Sequence, residues 1–395
     1  MERTELLELL HAQIDINGHI IGAAVGSGMT AKYAAAGGAD FLLALSAGKY
    51  RIMGRSSYAS YFSYGNNNEI VMDMGIHELL PITGDTPLFF GLFASDPELN
   101  LYEYLKDIKS KGFTGIVNFP TMSLIDGQFR IALEEEGNCF EREIEAIKVA
   151  RFVGLATIAF VTTGDEAVKM TSAGADIICV HLGLTRGGYL GAKKYMSIEY
   201  ARKMAADIFR QCSALNPEVI RMIYAGPANT PKDMLYMYKE TGCQGYIGGS
   251  TFDRIPIEKA VYETTLSFKN SGNEELDALM AKAMKGGWNP GDYTVFVKEF
   301  IERHYMNEIT LGSMAIVMHI TPAYLSTRFK SDTGQTFSEY LIHYRMERAK
   351  ELLRNTNDSC TQVAGNVGYT DYAQFSKMFK KYCGQSPAEY RKNNS

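Results

Sequence analysis

Two stretches decide the class of fold: ITLGSMAIVMHITPAYLSTRFK (residues 309–330) and CTQVAGNVGYTDYAQFSKMFKK (residues 360–381). Each stretch holds a short apolar segment, a tight turn and then a helix that presents small polar and basic side chains. That order is typical of a helix-turn-helix unit, whose second helix enters the major groove of DNA. Two such units in one chain predict a protein that reads two adjacent grooves.

Local chemistry places the ends of the predicted helices. Thr321-Pro322 puts a hydroxyl at the N-cap and a proline at the first helical position, where its missing N–H costs nothing. Gly334 falls where a C-terminal cap is expected. Between the two units, Thr336 to Leu353 is predicted to form one long helix with two adjoining apolar stripes. Such a helix would pack against both units and hold them about 34 Å apart, which is one turn of DNA.

The last hundred residues resemble the AraC-type DNA-binding domain, from about Tyr293 to Arg391. The matching positions lie in both units and in the helix between them. They are Tyr324-Leu325, Phe329-Lys330, Gly334, Arg345, Ala349, Val363-Ala364, Val367-Gly368-Tyr369, Phe375-Ser376, Phe379-Lys380 and the run from Ser386 to Arg391.

The resemblance implies which side chains meet DNA. Base reading falls to the outward face of each recognition helix, at Ala323, Ser326, Thr327, Tyr372, Gln374 and Lys377. Phosphate contact or simple solvation is expected of Arg328, Lys330, Lys380 and Lys381. From residue 290 onward there are 13 lysines and arginines and 11 acidic residues. This domain is therefore mildly basic, although the whole chain has a net charge of −5. We therefore expect modest, strongly salt-dependent non-specific affinity for double-stranded DNA.

Composition bounds the rest of the chain. With 395 residues and 46% hydrophobic content, the chain has room for two domains of unequal size. Six scattered cysteines without a Cys-x-x-Cys pair indicate ordinary thiols and a cytoplasmic location. No long apolar run and no secretory leader are seen, so no membrane association is expected. We predict domains at 1–270 and 292–395. The linker, 271–291, holds a short charged helix (Glu274 to Lys285) followed by a glycine- and proline-rich breaker.

The first 270 residues alternate short apolar runs with amphipathic helical stretches, eight times in all. Nearly continuous apolar strands separated by helices indicate a parallel sheet covered on both faces. Eight repeats in this length favour a (β/α)8 TIM barrel over an open doubly wound sheet. The fold class is therefore α/β, with a barrel followed by a smaller all-α domain. The predicted strands are Ile20–Val25, Phe41–Leu45, Leu88–Phe93, Gly115–Phe119, Ala156–Val161, Ile177–His181, Ile220–Tyr224 and Gly245–Gly248.

Ligands of such a barrel bind on the loops that follow its strands. Glycines after the last two strands would let backbone N–H groups approach an anion, and arginines in a loop after the second strand would hold a carboxylate or phosphate. Each feature has a plain structural alternative: tight turns need glycine, long loops carry solvated arginines, and a strand-end histidine is often structural. The candidate ligand residues are Gly22, Ser46, Arg51, Arg55, Asn118, His181, Gly226, Gly248, Gly249 and Ser250.

The sequence contains little that indicates a metal or cofactor site. Glu69, Asp85 and Asp96 are candidate metal ligands, but no Asp-x-Asp or His-x-His cluster accompanies them. We therefore expect no metal and no cofactor, and the pattern identifies no catalytic residue.

The barrel also carries a resemblance, over about residues 5 to 270. It is similar to the phosphoenolpyruvate hydrolase-like TIM-barrel family. The matches include Ile20-Ile21-Gly22-Ala23, Gly48-Lys49-Tyr50-Arg51, Asn118-Phe119-Pro120-Thr121, His181-Leu182-Gly183-Leu184 and Gly226-Pro227. The resemblance implies a barrel that binds a small oxyacid or phosphorylated acid. Tyr224-Ala225 and Thr251-Phe252-Asp253 depart from the pattern we expect there, which counts against turnover more than against binding.

Together the two halves indicate a DNA-binding transcriptional regulator whose barrel senses a small effector and which acts as a homodimer. One alternative is a bifunctional protein whose barrel still transforms its ligand, so whether it is an enzyme stays open. Another is a constitutive DNA binder that uses the barrel as an oligomerisation scaffold. RNA polymerase is left open as a further partner.

Overall fold

The computed structural model describes residues 1–62, 64–269, 290–318 and 320–394. Contacts divide the chain into two units, Met1–Thr265 and Leu266–Ser395. The first is a closed barrel of eight parallel strands in sequence order, with β1 paired to β8. The predicted TIM barrel is thus confirmed. The strands are β1 Ile20–Val25, β2 Phe41–Ala44, β3 Leu88–Leu92, β4 Gly115–Asn118, β5 Ala156–Val161, β6 Ile177–His181, β7 Ile220–Tyr224 and β8 Gly245–Gly248.

The barrel is buried on both faces of its sheet, which explains the apolar strands. One cluster fills the interior and includes Phe41, Phe89 and Phe160. A second cluster lies between the strands and the surrounding helices. Leu6 and Leu10 of the first helix belong to the interior cluster, so this helix closes the N-terminal end of the barrel. The end of the barrel where the strands finish is therefore the end from which a ligand can approach the interior.

Eleven helices belong to the barrel region of the described chain. They are α1 Arg3–Asn17, α2 Gly28–Ala36, α3 Ser46–Ile52, α4 Asn67–Met74, α5 Leu101–Ser110, α6 Gly127–Glu135, α7 Phe140–Phe152, α8 Gly164–Ser172, α9 Ile198–Leu215, α10 Pro231–Thr241 and α11 Arg254–Lys269. Three short turns of other helix types lie at Ser57–Tyr61, Gly75–Leu79 and Met122–Leu124.

Two details differ from the sequence-based expectation. Three strands end one residue earlier than predicted, at Ala44, Leu92 and Asn118. Arg51 was expected in a long loop, but it lies in α3, which begins immediately after β2. Ser46 and Gly48 at the start of this segment are residue types that are common in loops. The helix forms because its first residues are buried against the end of β1, where the Gly48 backbone approaches Val25 too closely for any side chain.

Where the structure describes the second unit, its secondary structure is helical. Its helices are α12 Pro290–His304, α13 Leu311–Val317, α14 Pro322–Thr333, α15 Phe337–Asn355, α16 Cys360–Asn366, α17 Tyr372–Cys383 and α18 Pro387–Asn394. Two separate apolar clusters form its cores. The predicted long helix is α15, and it contributes Leu341 to the first cluster and Met346, Ala349 and Leu353 to the second. The predicted packing of this helix against both helix-turn-helix units is confirmed.

Several predicted features fall outside the described residues. These are the short charged helix from Glu274 to Lys285, most of the glycine-rich breaker, and His319, which lies within the first predicted helix-turn-helix stretch. The last two residues of the predicted linker, 290 and 291, form the start of α12. Among the described residues, the helices lack a stretch long and apolar enough to span a lipid bilayer.

Candidate functional site: recognition helices and the barrel mouth

The first recognition helix is α14. The Thr321 hydroxyl accepts a hydrogen bond from the Tyr324 N–H (3.2 Å) at its start, and Gly334 ends it in the left-handed conformation with φ 73°. Leu325 and Phe329 face the core. These two side chains define the buried side of the helix. The predicted DNA contacts are exposed on its opposite side: Ala323, Ser326, Thr327 and Lys330.

Arg328 has a different environment from the other predicted contacts of α14. It is half-buried, and its Nε donates to Asp332 of the same helix at 3.0 Å. Asp332 also accepts from the Thr294 hydroxyl of α12 at 2.7 Å. Arg328 therefore connects α14 to α12 through the Asp332 carboxylate. A DNA phosphate that binds Arg328 would have to compete with Asp332 for the guanidinium.

The second recognition helix, α17, begins at Asp371, whose side chain accepts from the Ala373 N–H at 2.8 Å. Phe375 and Phe379 are buried. The predicted DNA contacts of this helix, all exposed, are Tyr372, Gln374, Lys377, Lys380 and Lys381. Three exposed lysines on one helix give α17 more positive charge than α14, whose outward face is mostly hydroxyl and methyl groups. We infer that α17 supplies more of the electrostatic attraction to DNA.

Arg345 of α15 joins the two helix-turn-helix units. Its guanidinium donates to the backbone oxygens of Tyr305 and Asn307, both at 2.8 Å, and lies over the Tyr369 ring at 5.5 Å. Gly368 passes so close that a Cβ there would lie 2.8 Å from this guanidinium and 2.9 Å from the Tyr305 oxygen. Its φ of +85° also favours glycine. Arg345 and Gly368 thus determine how the second helix-turn-helix unit packs against the first.

At the open end of the barrel, the guanidinium of Arg51 is bound by other groups of the protein. It forms a buried ion pair with Asp253 at 2.9 Å and donates to the Ala24 carbonyl at 2.8 Å. The pair connects α3 to the turn after β8, across 202 positions of sequence. Arg51 was predicted to hold an acidic ligand, but its geometry is that of a structural tie. We leave it out of the ligand site proposed below.

Asn118 is likewise engaged within the protein. Its Nδ2 donates to Glu143 (2.6 Å) and to the Phe160 carbonyl (3.0 Å), while its Oδ1 accepts from the Phe160 N–H. Glu143 also accepts from the Thr121 hydroxyl and the Met122 N–H, both at 2.7 Å. Burial raises the pKa of Glu143 to about 8, although these donors favour its charged form. This network fixes the segment after β4.

His181 and Tyr224 form the floor of a small cavity at the barrel mouth. Their rings pack at 4.7 Å, and the Gly183 N–H donates to His181 Nδ1 at 3.1 Å. Burial lowers the pKa of His181 to about 3, so the ring is neutral at pH 7 with its proton on Nε2. Nε2 lacks a hydrogen-bond partner among the described residues. It is therefore available to donate to an occupant of the cavity.

The cavity is small, about 20 Å³, and Ser57, Thr185 and Ser250 are among the residues that line it. An adjoining pocket shares these three residues and is also lined by Arg55 and Arg254. Arg254 is paired with Glu258 at 3.0 Å. Arg55 is exposed and makes no ion pair within the described chain. The predicted ligand residues that the structure brings together are thus Arg55, His181 and Ser250.

The remaining candidates are in close contact with other parts of the protein. A side chain at Gly22 would overlap the Phe41 ring, and one at Gly248 would overlap Phe252. At Gly249 it would meet the Tyr224 hydroxyl, and at Gly226 the Leu182 backbone. The Ser46 hydroxyl is buried and donates to Ser60 at 3.0 Å. Close packing within the protein thus accounts for the glycines.

Sequence reasoning did not identify Asp253, Glu143 or Tyr224 as site residues. Tyr224 and Asp253 were noticed only as departures from a family pattern. Glu143 lies on a helix that is otherwise amphipathic and charged, so its burial has no local signal. Ala225, beside Tyr224, has φ +61°, a conformation that glycine adopts more easily. Ala225 is therefore accommodated with local backbone strain.

Two family models match the chain. The phosphoenolpyruvate hydrolase-like model covers residues 5–271, and a helix-turn-helix domain model covers residues 314–393. The class of protein is therefore a TIM barrel joined to an AraC-type helix-turn-helix domain. Because the first match spans more than half of the sequence, the chain belongs to the phosphoenolpyruvate hydrolase-like family.

Curated relatives resemble the chain over part of its length. The putative transcriptional regulatory protein y4pA of Sinorhizobium fredii is 39% identical over 68% of this chain and 44% of its own length. The ToMV resistance protein Tm-1(GCR237) of Solanum lycopersicum is 37% identical over 69% of this chain and 36% of its own. The Msm operon regulatory protein of Streptococcus mutans is 33% identical over 25% of this chain and 36% of its own. The chain spans less than half the length of each.

Proposed function

We propose that this protein is a transcriptional regulator that binds double-stranded DNA through α14 and α17. The observation that carries the proposal is the paired arrangement of these helices, each with aromatic side chains buried and polar or basic side chains exposed. The names of the relatives y4pA and the Msm operon regulatory protein agree with this activity. A homodimer is part of the proposal, because dimeric helix-turn-helix proteins bind repeated half-sites.

We further propose that the barrel senses a small carboxylate- or phosphate-bearing effector at its mouth. Arg55 supplies positive charge in the adjoining pocket, and His181 Nε2 with the hydroxyls of Ser57, Thr185 and Ser250 supplies hydrogen bonds inside. A cavity of about 20 Å³ holds roughly one water molecule, whereas ligand sites usually exceed about 300 Å³. Effector binding therefore requires the loops over the mouth to move. A ligand that binds only the open arrangement shifts the balance between the two states.

Thermal unfolding of the full chain with phosphoenolpyruvate, pyruvate and inorganic phosphate tests the effector proposal. A ligand at 100 times its dissociation constant stabilises the barrel by about 2.7 kcal/mol. Arg55→Met should remove most of the shift. Arg142→Met, which alters an exposed arginine on α7, should leave it unchanged. Equal shifts in both variants would refute the assigned site, and conversion of phosphoenolpyruvate in the same sample would favour the enzyme alternative.

A further inference from the structure

The exposed side of α14 presents methyl groups in its N-terminal half. Ala323 and Thr327 lie four residues apart, so their side chains are neighbours on one side of the helix, and both are exposed. The Thr327 hydroxyl donates to the Ala323 carbonyl at 2.9 Å. Because this hydroxyl points back at its own helix, the methyl group is the part of Thr327 that remains for contact with another molecule. The two methyl groups therefore form a short apolar stripe on the outward side of α14.

Hydrogen-bonding readers of guanine or adenine are scarce in α14, all of whose residues the structure describes. Arginine reads guanine, and asparagine or glutamine reads adenine, through two hydrogen bonds each. Helix α14 contains neither asparagine nor glutamine, and its one arginine, Arg328, donates to Asp332 at 3.0 Å. Ser326 is exposed, but a serine hydroxyl can donate or accept and so does not distinguish the bases. Lys330 lies in the C-terminal half, whereas the N-terminal residues of a recognition helix contact base edges.

The base that matches a stripe of methyl groups is thymine. Among the four bases only thymine carries an apolar group in the major groove, its C5 methyl, and the methyl groups of alanine and threonine are suited to contact it. Side chains one helical turn apart are separated by about 5–6 Å, whereas successive base pairs are about 3.4 Å apart along the duplex. The stripe therefore spans one to two base steps, and the two thymines that it fits are adjacent or one base pair apart.

The outward side of α17 has a different chemistry. Gln374 and Lys377 are exposed there and carry a carboxamide and an ammonium group. A glutamine amide reads adenine, and a lysine reads guanine, by hydrogen bonds. The two helices therefore offer DNA two modes of recognition, which are hydrogen bonds and charge at α17 and apolar contact at α14. Loss of a thymine methyl group should be felt under α14 and not under Gln374 and Lys377.

We propose that α14 recognises thymine through its C5 methyl group, and that Ala323 and Thr327 determine this preference. The part of the DNA site that α14 contacts then holds two thymines, adjacent or one base pair apart. This inference rests on the proposed function, because it concerns DNA that the protein binds through α14. It names the base that this helix selects, and it is independent of any effector and of the oligomeric state.

The experiment removes the methyl group from the DNA and from the protein separately. The probe is the duplex that the full chain enriches most from a random DNA pool, with each thymine replaced in turn by uracil, which lacks only the C5 methyl. Anisotropy titration of the unaltered protein should show about fourfold weaker binding at two of these replacements, which is the effect of one buried methyl group, about 0.8 kcal/mol.

Thr327→Ser removes the methyl group of the protein but keeps the hydroxyl that donates to the Ala323 carbonyl. This variant should bind the thymine duplex about fourfold more weakly than the unaltered protein does. At one of the two sensitive positions, uracil should then cause no further loss, because the contact is already absent. Ala323→Gly should abolish the uracil effect at the other position, and circular dichroism checks that its helix content is unchanged.

Thr333→Ser is the matched control on the same helix. The Thr333 hydroxyl also donates to the carbonyl four residues earlier, that of Phe329, at 2.7 Å. Thr333 lies about 120° around the helix axis from Thr327, so its methyl group is not part of the stripe. This variant should keep the uracil effect at both sensitive positions.

The proposal is overturned if no uracil replacement weakens binding of the unaltered protein, or if Thr327→Ser keeps both uracil effects. It is also overturned if Thr333→Ser loses one of them. Failure of the full chain to enrich any duplex would instead overturn the proposed function, and this inference with it. The two failures are distinguishable, because the uracil comparison begins from a duplex that the protein already binds.

Discussion

At the scale of single residues, burial decides which polar groups belong to the scaffold. Arg51 looked like a ligand group in the sequence, because an arginine after a barrel strand often meets an anion. Its partner Asp253 is 202 positions away, and only the closed barrel brings the two together. The same holds for Glu143 and Asn118, which meet through the packing of α7 on β4. Single-residue roles of this kind depend on long-range contacts that one sequence does not encode locally.

Arg51→Met should destabilise the barrel by about 3–5 kcal/mol, because it leaves the Asp253 carboxylate buried and without its cation. Adding Asp253→Leu to this variant should recover much of the loss, since an apolar pair replaces an ion pair whose desolvation was costly. Urea denaturation followed by circular dichroism measures both changes. Equal stability of Arg51→Met and the unaltered protein would contradict the structural role given to this pair.

The stability of the barrel should fall as pH rises from about 6.5 to 8. Burial raises the pKa of Glu143 to about 8, so in this range the folded state holds a proton that the unfolded state has released. The loss approaches 1.4 kcal/mol for each pH unit. His181, whose pKa burial lowers to about 3, acts in the opposite sense but only below about pH 6.5.

Glu143→Gln provides the control for this pH dependence. A glutamine does not titrate, so the variant should show a flat free energy of unfolding between pH 6.5 and 8, whatever its absolute stability. Urea denaturation at several pH values gives the comparison. A decline of equal steepness in the variant would assign the effect to another group.

At the scale of elements, much of the fold could be predicted. The eight strands were placed to within one residue, because strands buried on both faces must be apolar. The ends of the first recognition helix followed from the caps Thr321 and Gly334, whose signals are local. Helix α3 was missed because its glycine and serine resemble a loop. The position of α11 could not be predicted, since its apolar spacing suits packing against any surface.

Gly368→Ala should disturb the junction between the two helix-turn-helix units. A left-handed conformation costs a non-glycine residue about 1–2 kcal/mol, and the new Cβ would also press on Arg345 and on the Tyr305 carbonyl. Gly365→Ala is the matched control three residues earlier, inside α16 with open space around it, and it should be neutral or stabilising by about 0.4–1 kcal/mol. Thermal unfolding compares the two variants. Similar effects of the two substitutions would argue against this account of the junction.

At the scale of the whole molecule, sensing requires that effector and DNA binding influence each other. If phosphoenolpyruvate changes the affinity for DNA by some factor, DNA must change the affinity for phosphoenolpyruvate by the same factor. Coupling of this type commonly amounts to about 5–150-fold. Titrations of each ligand with and without the other measure the factor twice. Effector binding that leaves DNA affinity unchanged would support the scaffold alternative, in which DNA binding is constitutive.

The most direct test of the central claim is selection of duplexes from a random DNA pool with the full chain, followed by anisotropy titration of an enriched duplex. We predict affinity at least about 10³-fold above that for unselected DNA. Lys377→Ala on the exposed face of α17 should weaken binding, whereas Lys259→Ala on α11 should not. Failure to enrich any sequence, or equal binding by Lys377→Ala and the unaltered protein, would contradict the assignment of α17 as a DNA-reading helix.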